Sequence, residues 1–119
     1  MLKKKIKKKW LKAMRSGKYK QTTQSLHDSK GYCCLGVLTD LYLKEKGKSW
    51  EEKYPANKEG EHGWQSTLDG KVAEWAFKPI YHGCDDAQVE VEEGTHCLAE
   101  LNDAGYTFNE IADLIEAQL

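Results

Sequence analysis

The chain predicts a compact, mainly helical α+β domain spanning residues 1–119, with four or five helices and a small antiparallel sheet. Three observations predict it. Apolar residues recur at helical spacing near both ends, a nearly continuous apolar helix occupies the middle, and only two short segments alternate or carry β-prone residues. A chain of 119 residues buries about two thirds of its unfolded surface around one core, so a second domain is not expected. Hydrophobic residues make up 39% and charged residues 31%, which is enough apolar mass for that core in a soluble protein.

The first element is a helix over roughly residues 2–16. Leu2, Ile6, Trp10, Ala13 and Met14 share one face, lysines cover the remainder, and Gly17 supplies the stop. The segment "KYKQTTQSL" then reads as a strand over 19–26, ending in the turn-prone "HDSKG". From Tyr32 to Lys46 the apolar positions Cys34, Leu35, Val37, Leu38, Leu41 and Tyr42 cover most of a helix surface, with Gly47 as its stop. Gly36 within this helix implies close approach by a neighbouring element.

Residues 47–66 lack periodicity and contain Pro55, so they read as a long loop of the kind that carries binding function. Leu68, Val72, Trp75 and Ala76 form a short helix, with Asp69 as a candidate cap, ending before Pro79. "QVEVE" alternates as a strand over 88–92 with Val89 and Val91 on one face, and the sheet is expected to pair it with 19–26. Thr95 is placed as the cap of a helix through Asn102, Gly105 turns the chain, and Thr107 with Glu110 has capping-box spacing before the last helix. The second and last helices are expected to pack closely at the centre.

Charge is distributed unevenly along the chain. Residues 1–20 hold ten Lys or Arg and no acid, whereas residues 79–119 hold ten Asp or Glu and no Lys or Arg. The two ends attract, within the chain or between subunits, so the basic run does not require nucleic acid. "GYTFNEIADLI" has the look of half a helix-turn-helix. No second helix follows it, however, and its acidity opposes phosphate, so DNA is not an expected partner. No apolar run reaches the roughly 18 residues that span a bilayer, and the N-terminus lacks a signal-peptide core. A membrane partner is therefore not expected, and the cytoplasm is the expected location.

Soft ligands are present in Cys33, Cys34, His82, Cys84, His96 and Cys97. Structural zinc sites space paired ligands by two to four residues, and only His82-Gly-Cys84 comes near that pattern. A thiol at a helix start, with His62, His82 or His96 as base, would make a nucleophile, but nothing in the spacing brings a histidine to it. Buried thiols that pack as small apolar groups are the plainer reading. No P-loop, dinucleotide fingerprint, zincin or nucleophile-elbow motif occurs. The expectation is therefore a binding protein with no cofactor, and a metal or thiol enzyme is the alternative.

The blocks "WLKAMRSGKYKQ", "YCCLGVLTDLY", the Glu74–Ala76 "EWA" and "LAELNDAGYTFNEIADLIE" together resemble a family of small proteins encoded mainly by bacteriophages. Residues 47–66 and 79–94 lie outside the resemblance. It implies action in the cytosol of an infected bacterium, where small accessory proteins counter host defence by sequestering nucleotide signals or by blocking a host protein. The residues suited to a phosphorylated nucleotide are Arg15, Lys18, Lys20 and Gln21 for phosphate, and Tyr19, Tyr32, Trp50 and Trp64 for stacking. Asn102 and Asp103 would read ribose or base edges. The expected partner is a small nucleotide ligand bound by a homo-oligomer, and a host enzyme is the alternative target.

Overall fold

The structure is a computed structural model and describes residues 2–23, 26–28, 30–50, 70–77 and 88–119. Five helices are described: α1 (Lys4–Arg15), α2 (Cys34–Lys46), α3 (Gly70–Ala76), α4 (Leu98–Asp103) and α5 (Phe108–Gln118). Two antiparallel hairpins accompany them, β1 (His27–Asp28) with β2 (Gly31–Tyr32), and β3 (Gln88–Val91) with β4 (Gly94–Cys97). The architecture is thus the mainly helical α+β domain that the periodicity predicts.

Helix α1 buries Ile6, Trp10 and Met14, the residues that stack at i, i+4 and i+8 on one face. Trp10 is fully enclosed and donates Nε1–H to the Cys34 carbonyl at 2.9 Å. Upstream, Leu2 bridges to Phe77 and the Lys3 amide reaches the Ala76 carbonyl at 2.8 Å, which ties α1 to the end of α3. Helix α2 is buried on nearly every side and stops at Gly47, whose φ of 67° is left-handed.

Helix α1 packs closely against both α2 and α5, whereas α2 and α5 make little contact with each other. This corrects the expected central pairing of the second and last helices. Trp10 contributes to the α1–α2 contact, being fully enclosed and bonded to the Cys34 carbonyl.

The expected sheet is also corrected. Segment 19–22 lies along β2, with Tyr32 N–H donating to the Lys20 carbonyl and Thr22 N–H to the Tyr32 carbonyl, both at 2.8 Å. Strand β3 instead pairs with the very next segment, in the register Gln88 to Cys97 and Val91 to Gly94. A hairpin closed over Glu92 and Glu93 orders far less chain than a pairing across the whole domain, and Gly94 at φ 121° accommodates the turn. Val89 is buried and Val91 half-buried, as their alternation requires.

Thr95 therefore lies in β4 and does not cap α4. That position falls to Cys97, whose backbone N–H and thiol both donate to the Glu100 carboxylate. At α5 the expected capping box forms. Glu110 N–H donates to Thr107 Oγ1 at 3.2 Å and Thr107 N–H to Glu110 Oε1 at 3.0 Å. No helix among the described residues is long and apolar enough to cross a membrane.

Candidate functional site

Four rings from three separate segments meet beside α2. The loop after α1 supplies Tyr19, the β1–β2 hairpin supplies His27 and Tyr32, and the chain just beyond α2 supplies Trp50. His27 and Tyr32 stack at 3.9 Å between centroids, inclined by only 5°. Tyr19 meets Tyr32 edge-on at 5.0 Å, and Trp50 lies tilted 5.0 Å from His27 and 6.0 Å from Tyr32. Such offset and edge contacts suit the ring quadrupoles. His27 Nδ1 lies 2.8 Å from the Gly31 carbonyl. A carbonyl only accepts, so Nδ1 carries a proton there.

Beneath the rings sits Asp40, only 7% exposed in the wall of α2. A carboxylate this buried requires donors, and the cluster supplies three. Tyr19 hydroxyl reaches Oδ2 at 2.5 Å, Trp50 Nε1 reaches Oδ1 at 3.0 Å, and Lys44 Nζ, one turn along the helix, reaches Oδ2 at 3.1 Å. Lys44 also donates to the Tyr19 hydroxyl at 3.2 Å and lies over its ring. Burial and the Asp40 hydrogen bond hold the Tyr19 phenol above its ordinary range, and burial with the Asp40 charge does the same for Tyr32. Hydrogen bonds to Tyr19 and Asp40 raise Lys44. At neutral pH the cluster therefore presents two phenols, a cation and half-buried ring surface.

The sequence-nominated residues divide between this cluster and other places. Tyr19, Tyr32 and Trp50 are brought together, and Lys18 and Lys20 flank them as exposed side chains. Gln21 and Asn102 are brought together elsewhere, inside the molecule. Asn102 is fully enclosed. Its Oδ1 accepts from Gln21 Nε2 at 2.8 Å and from the Cys34 amide at 3.2 Å, while its Nδ2 donates to the Thr22 carbonyl at 2.7 Å. Gln21 in turn donates to the Tyr106 carbonyl and accepts from the first amide of α5 at Phe108. These two amides therefore satisfy the starts of α2 and α5 and the loop between β1 and α1, and Asn102 is turned to that task inside the molecule and away from the surface.

Arg15, the last residue of α1, reaches across to α5, with its guanidinium 2.8 Å from Asp113 and 3.0 Å from Glu116. Those two hydrogen bonds raise its pKa further, and they realise within the chain the attraction between basic and acidic ends. Asp103 is exposed at the end of α4. Trp64 lies outside the described residues. His27, Asp40 and Lys44 were not singled out in the sequence. The available signal was Asp40 itself, a carboxylate inside an otherwise apolar helix and four residues before a lysine, which has to find donors.

The vicinal thiols serve the core. Cys33 sits at the start of α2, where its Sγ accepts from the Gly36 amide at 3.4 Å. Burial pushes its thiol up to about 11. Cys34 is completely enclosed, points at the Leu98 carbonyl, and is pushed well above the ordinary value by the same cause. Protonated thiols of this kind are poor nucleophiles. Among the described residues no three His, Cys, Asp or Glu side chains gather to hold a metal ion. His62, His82 and Cys84 lie outside the described residues.

The raised thiol predicts a pH dependence. In the unfolded chain Cys33 ionises near 9, in the folded protein near 11, so its contribution to stability is complete below pH 9 and is lost as the pH rises toward 11. Urea midpoints measured at about pH 8 and about pH 10.5 should show that fall, and a Cys33→Ala variant should fall less. Equal falls in the two proteins would remove Cys33 as the cause.

The fold and the cluster define a class, a small α+β domain that exposes an aromatic platform anchored on a buried carboxylate. The chain belongs to the family described as a domain of unknown function, DUF8296, whose model matches residues 2–119. No curated protein and no solved structure matches the chain.

Proposed function

We propose that the protein binds and sequesters a small nucleotide-derived immune signal in the cytoplasm of an infected bacterial cell, without catalysing its conversion. The observation that supports this reading is the ring cluster of Tyr19, His27, Tyr32 and Trp50 on the Asp40 anchor. His27 and Tyr32 are half-buried, so their stacked pair offers a rigid rim on which a base can lie. Stacking of this type tolerates any base because every base has a π-face. Lys18, Lys20 and Lys44 are exposed around the same rings and supply cations for phosphate. Asp40 fixes Tyr19 and Trp50 in advance, and these rings brace the stacked pair, which lowers the entropy lost when a ligand binds. The protonated state of Cys33 and Cys34 supports binding over thiol chemistry.

Calorimetry against a panel of cyclic dinucleotides and cyclic ADP-ribose isomers tests the proposal. At least one ligand should bind and be recovered chemically unchanged. Tyr32→Ala should weaken it by about fivefold or more, as expected for loss of one stacked ring, and Tyr32→Phe should retain most of the affinity. A panel with no binder, or a ligand recovered as a hydrolysis product, refutes the reading.

A further inference from the structure

Two charged surfaces remain outside the ring cluster, one on each side of α5. On one side is the outer ridge of α1. Lys4, Lys5, Lys8 and Lys12 are exposed there and carry no ion pair among the described residues. Lys4, Lys5 and Lys8 border a shallow groove against α5, floored by the half-buried Leu11 and closed by Glu116.

On the other side, the β3–β4 turn and α5 enclose a groove of about 420 Å³, rimmed by Glu92, Glu93, Glu110 and Asp113. The floor of this second groove includes the half-buried Val91, Tyr106 and Leu114. Glu92 and Glu93 carry no ion pair among the described residues. Helix α5 joins the two surfaces. It holds α1 through Arg15 and through Lys7 Nζ on the Glu116 carbonyl, and it holds β3 through Gln118, which bonds both the amide and the carbonyl of Glu90.

The α1 ridge is unfavourable in the isolated chain. Lys4, Lys8 and Lys12 are like charges at i, i+4 spacing, which repel. Lys4 and Lys5 also lie in the first turn, where the helix dipole disfavours cations and where α1 has no acidic residue. The adjacent Glu92 and Glu93 repel each other in the same way. A partner that brings the opposite charge to each surface relieves both, and this chain carries the two surfaces on the flanks of one helix.

We infer that two copies of the chain pair about a two-fold axis, each placing the α1 ridge of Lys4, Lys5, Lys8 and Lys12 against the other's acidic groove of Glu92, Glu93 and Glu110. Two-fold symmetry makes both contacts at once from a single self-complementary face. Leu11 on one surface and Val91, Tyr106 and Leu114 on the other supply apolar contact beneath the charges, while the charges set orientation and make the pairing sensitive to salt. A polyanion would match the ridge but would leave the acidic groove across α5 without a partner, whereas a second copy supplies both charges, which favours a second copy.

Light scattering coupled to size exclusion, run over a concentration series, reads the result. The wild type should give twice the 13.6 kDa of one chain. It should shift toward one chain as salt rises from about 0.05 M to about 0.5 M, where the screening length shortens severalfold. Lys4→Glu with Lys8→Glu, and separately Glu92→Lys with Glu93→Lys, should each weaken self-association at least about tenfold. All four positions are exposed, and circular dichroism checks that both variants remain folded. Mixing the two variants should restore a pair, because one contact then joins the two reversed surfaces and the other the two native ones, and the charges are opposite at both.

The inference is overturned by a single chain at every concentration, by a pair that survives either reversal, by species larger than two copies, or by two variants that fail to associate on mixing. A single chain that is retained on heparin through the α1 lysines would assign the ridge to an anionic polymer instead.

Discussion

Gly36→Ala should cost about 3 kcal/mol of stability, because the added methyl has no room and the atom that blocks it is backbone. A Cβ built at Gly36 would lie 1.7 Å from the Leu26 carbonyl oxygen and 2.6 Å from its carbon. That oxygen also accepts the Cys33 amide at 3.1 Å, and the Leu26 side chain is fully buried. Room for the methyl therefore requires the segment before β1 to lift from α2, which breaks the hydrogen bond, worth about 1 kcal/mol, and draws Leu26 out of the core. Against a total stability of about 5–15 kcal/mol, the urea midpoint should fall by about 1 to 2 M. Binding of the proposed nucleotide ligand should fall with it, since His27 and Tyr32 ride on that hairpin while Asp40 and Lys44 stay on α2. Gly47→Ala makes a useful contrast. Nothing lies within 4 Å of its Cβ, and the only cost is a left-handed φ of 67°, about 1 kcal/mol. Comparable losses in the two variants would show that Leu26 does not crowd Gly36.

The close approach at Gly36 is legible in the sequence because a glycine inside an apolar helix sacrifices stability unless something needs its space. The identity of the neighbour is not legible, because Leu26 is one leucine among polar residues in a segment without periodicity. The same distinction runs through the molecule. The capping box at Thr107 and Glu110 and the stop at Gly47 are local codes whose meaning depends on residues within one turn, and both form as written. Thr95 obeys the same local rule and still caps nothing, since pairing of β4 with β3 claims its backbone first. Tertiary contact overrides the local preference there.

The candidate site divides in the same way. Tyr19, Tyr32 and Trp50 are recognisable as stacking residues by type alone, but their meeting depends on Asp40, whose partners stand 21 and 10 residues away in the chain. Gln21 and Asn102 are the reverse case. Amides suited to reading a ligand are equally suited to ending helices, and the two are distinguished only by burial, which brings Asn102 to complete enclosure. Arg15 shows how charge polarity along a sequence can be read correctly while its individual contacts cannot. The ends do attract, and this guanidinium is held by Asp113 and Glu116.

Trp10→Ala should cost about 3–5 kcal/mol, the range for removing a fully buried large aromatic side chain. Helix α1 has a polar surface almost throughout, so its attachment rests on few residues: Leu2, which precedes it, and Ile6, Trp10 and Met14 within it. Trp10 is the largest of these, and its removal leaves a cavity where α1 lies against α2 and removes the indole donor from the Cys34 carbonyl. Trp10→Phe separates the two effects. It retains much of the apolar volume but not the N–H, so it should cost about 1 to 2 kcal/mol from the lost hydrogen bond and a smaller void. Urea denaturation followed by circular dichroism resolves the two values, because loss of the tryptophan also alters fluorescence. Since α1 packs against both α2 and α5, the alanine variant should loosen the C-terminal helix as well, and amide exchange in Phe108–Gln118 should accelerate along with that in α1. Unchanged protection of α5, with α1 alone exchanging faster, would mean that α5 is held by contacts that do not depend on Trp10.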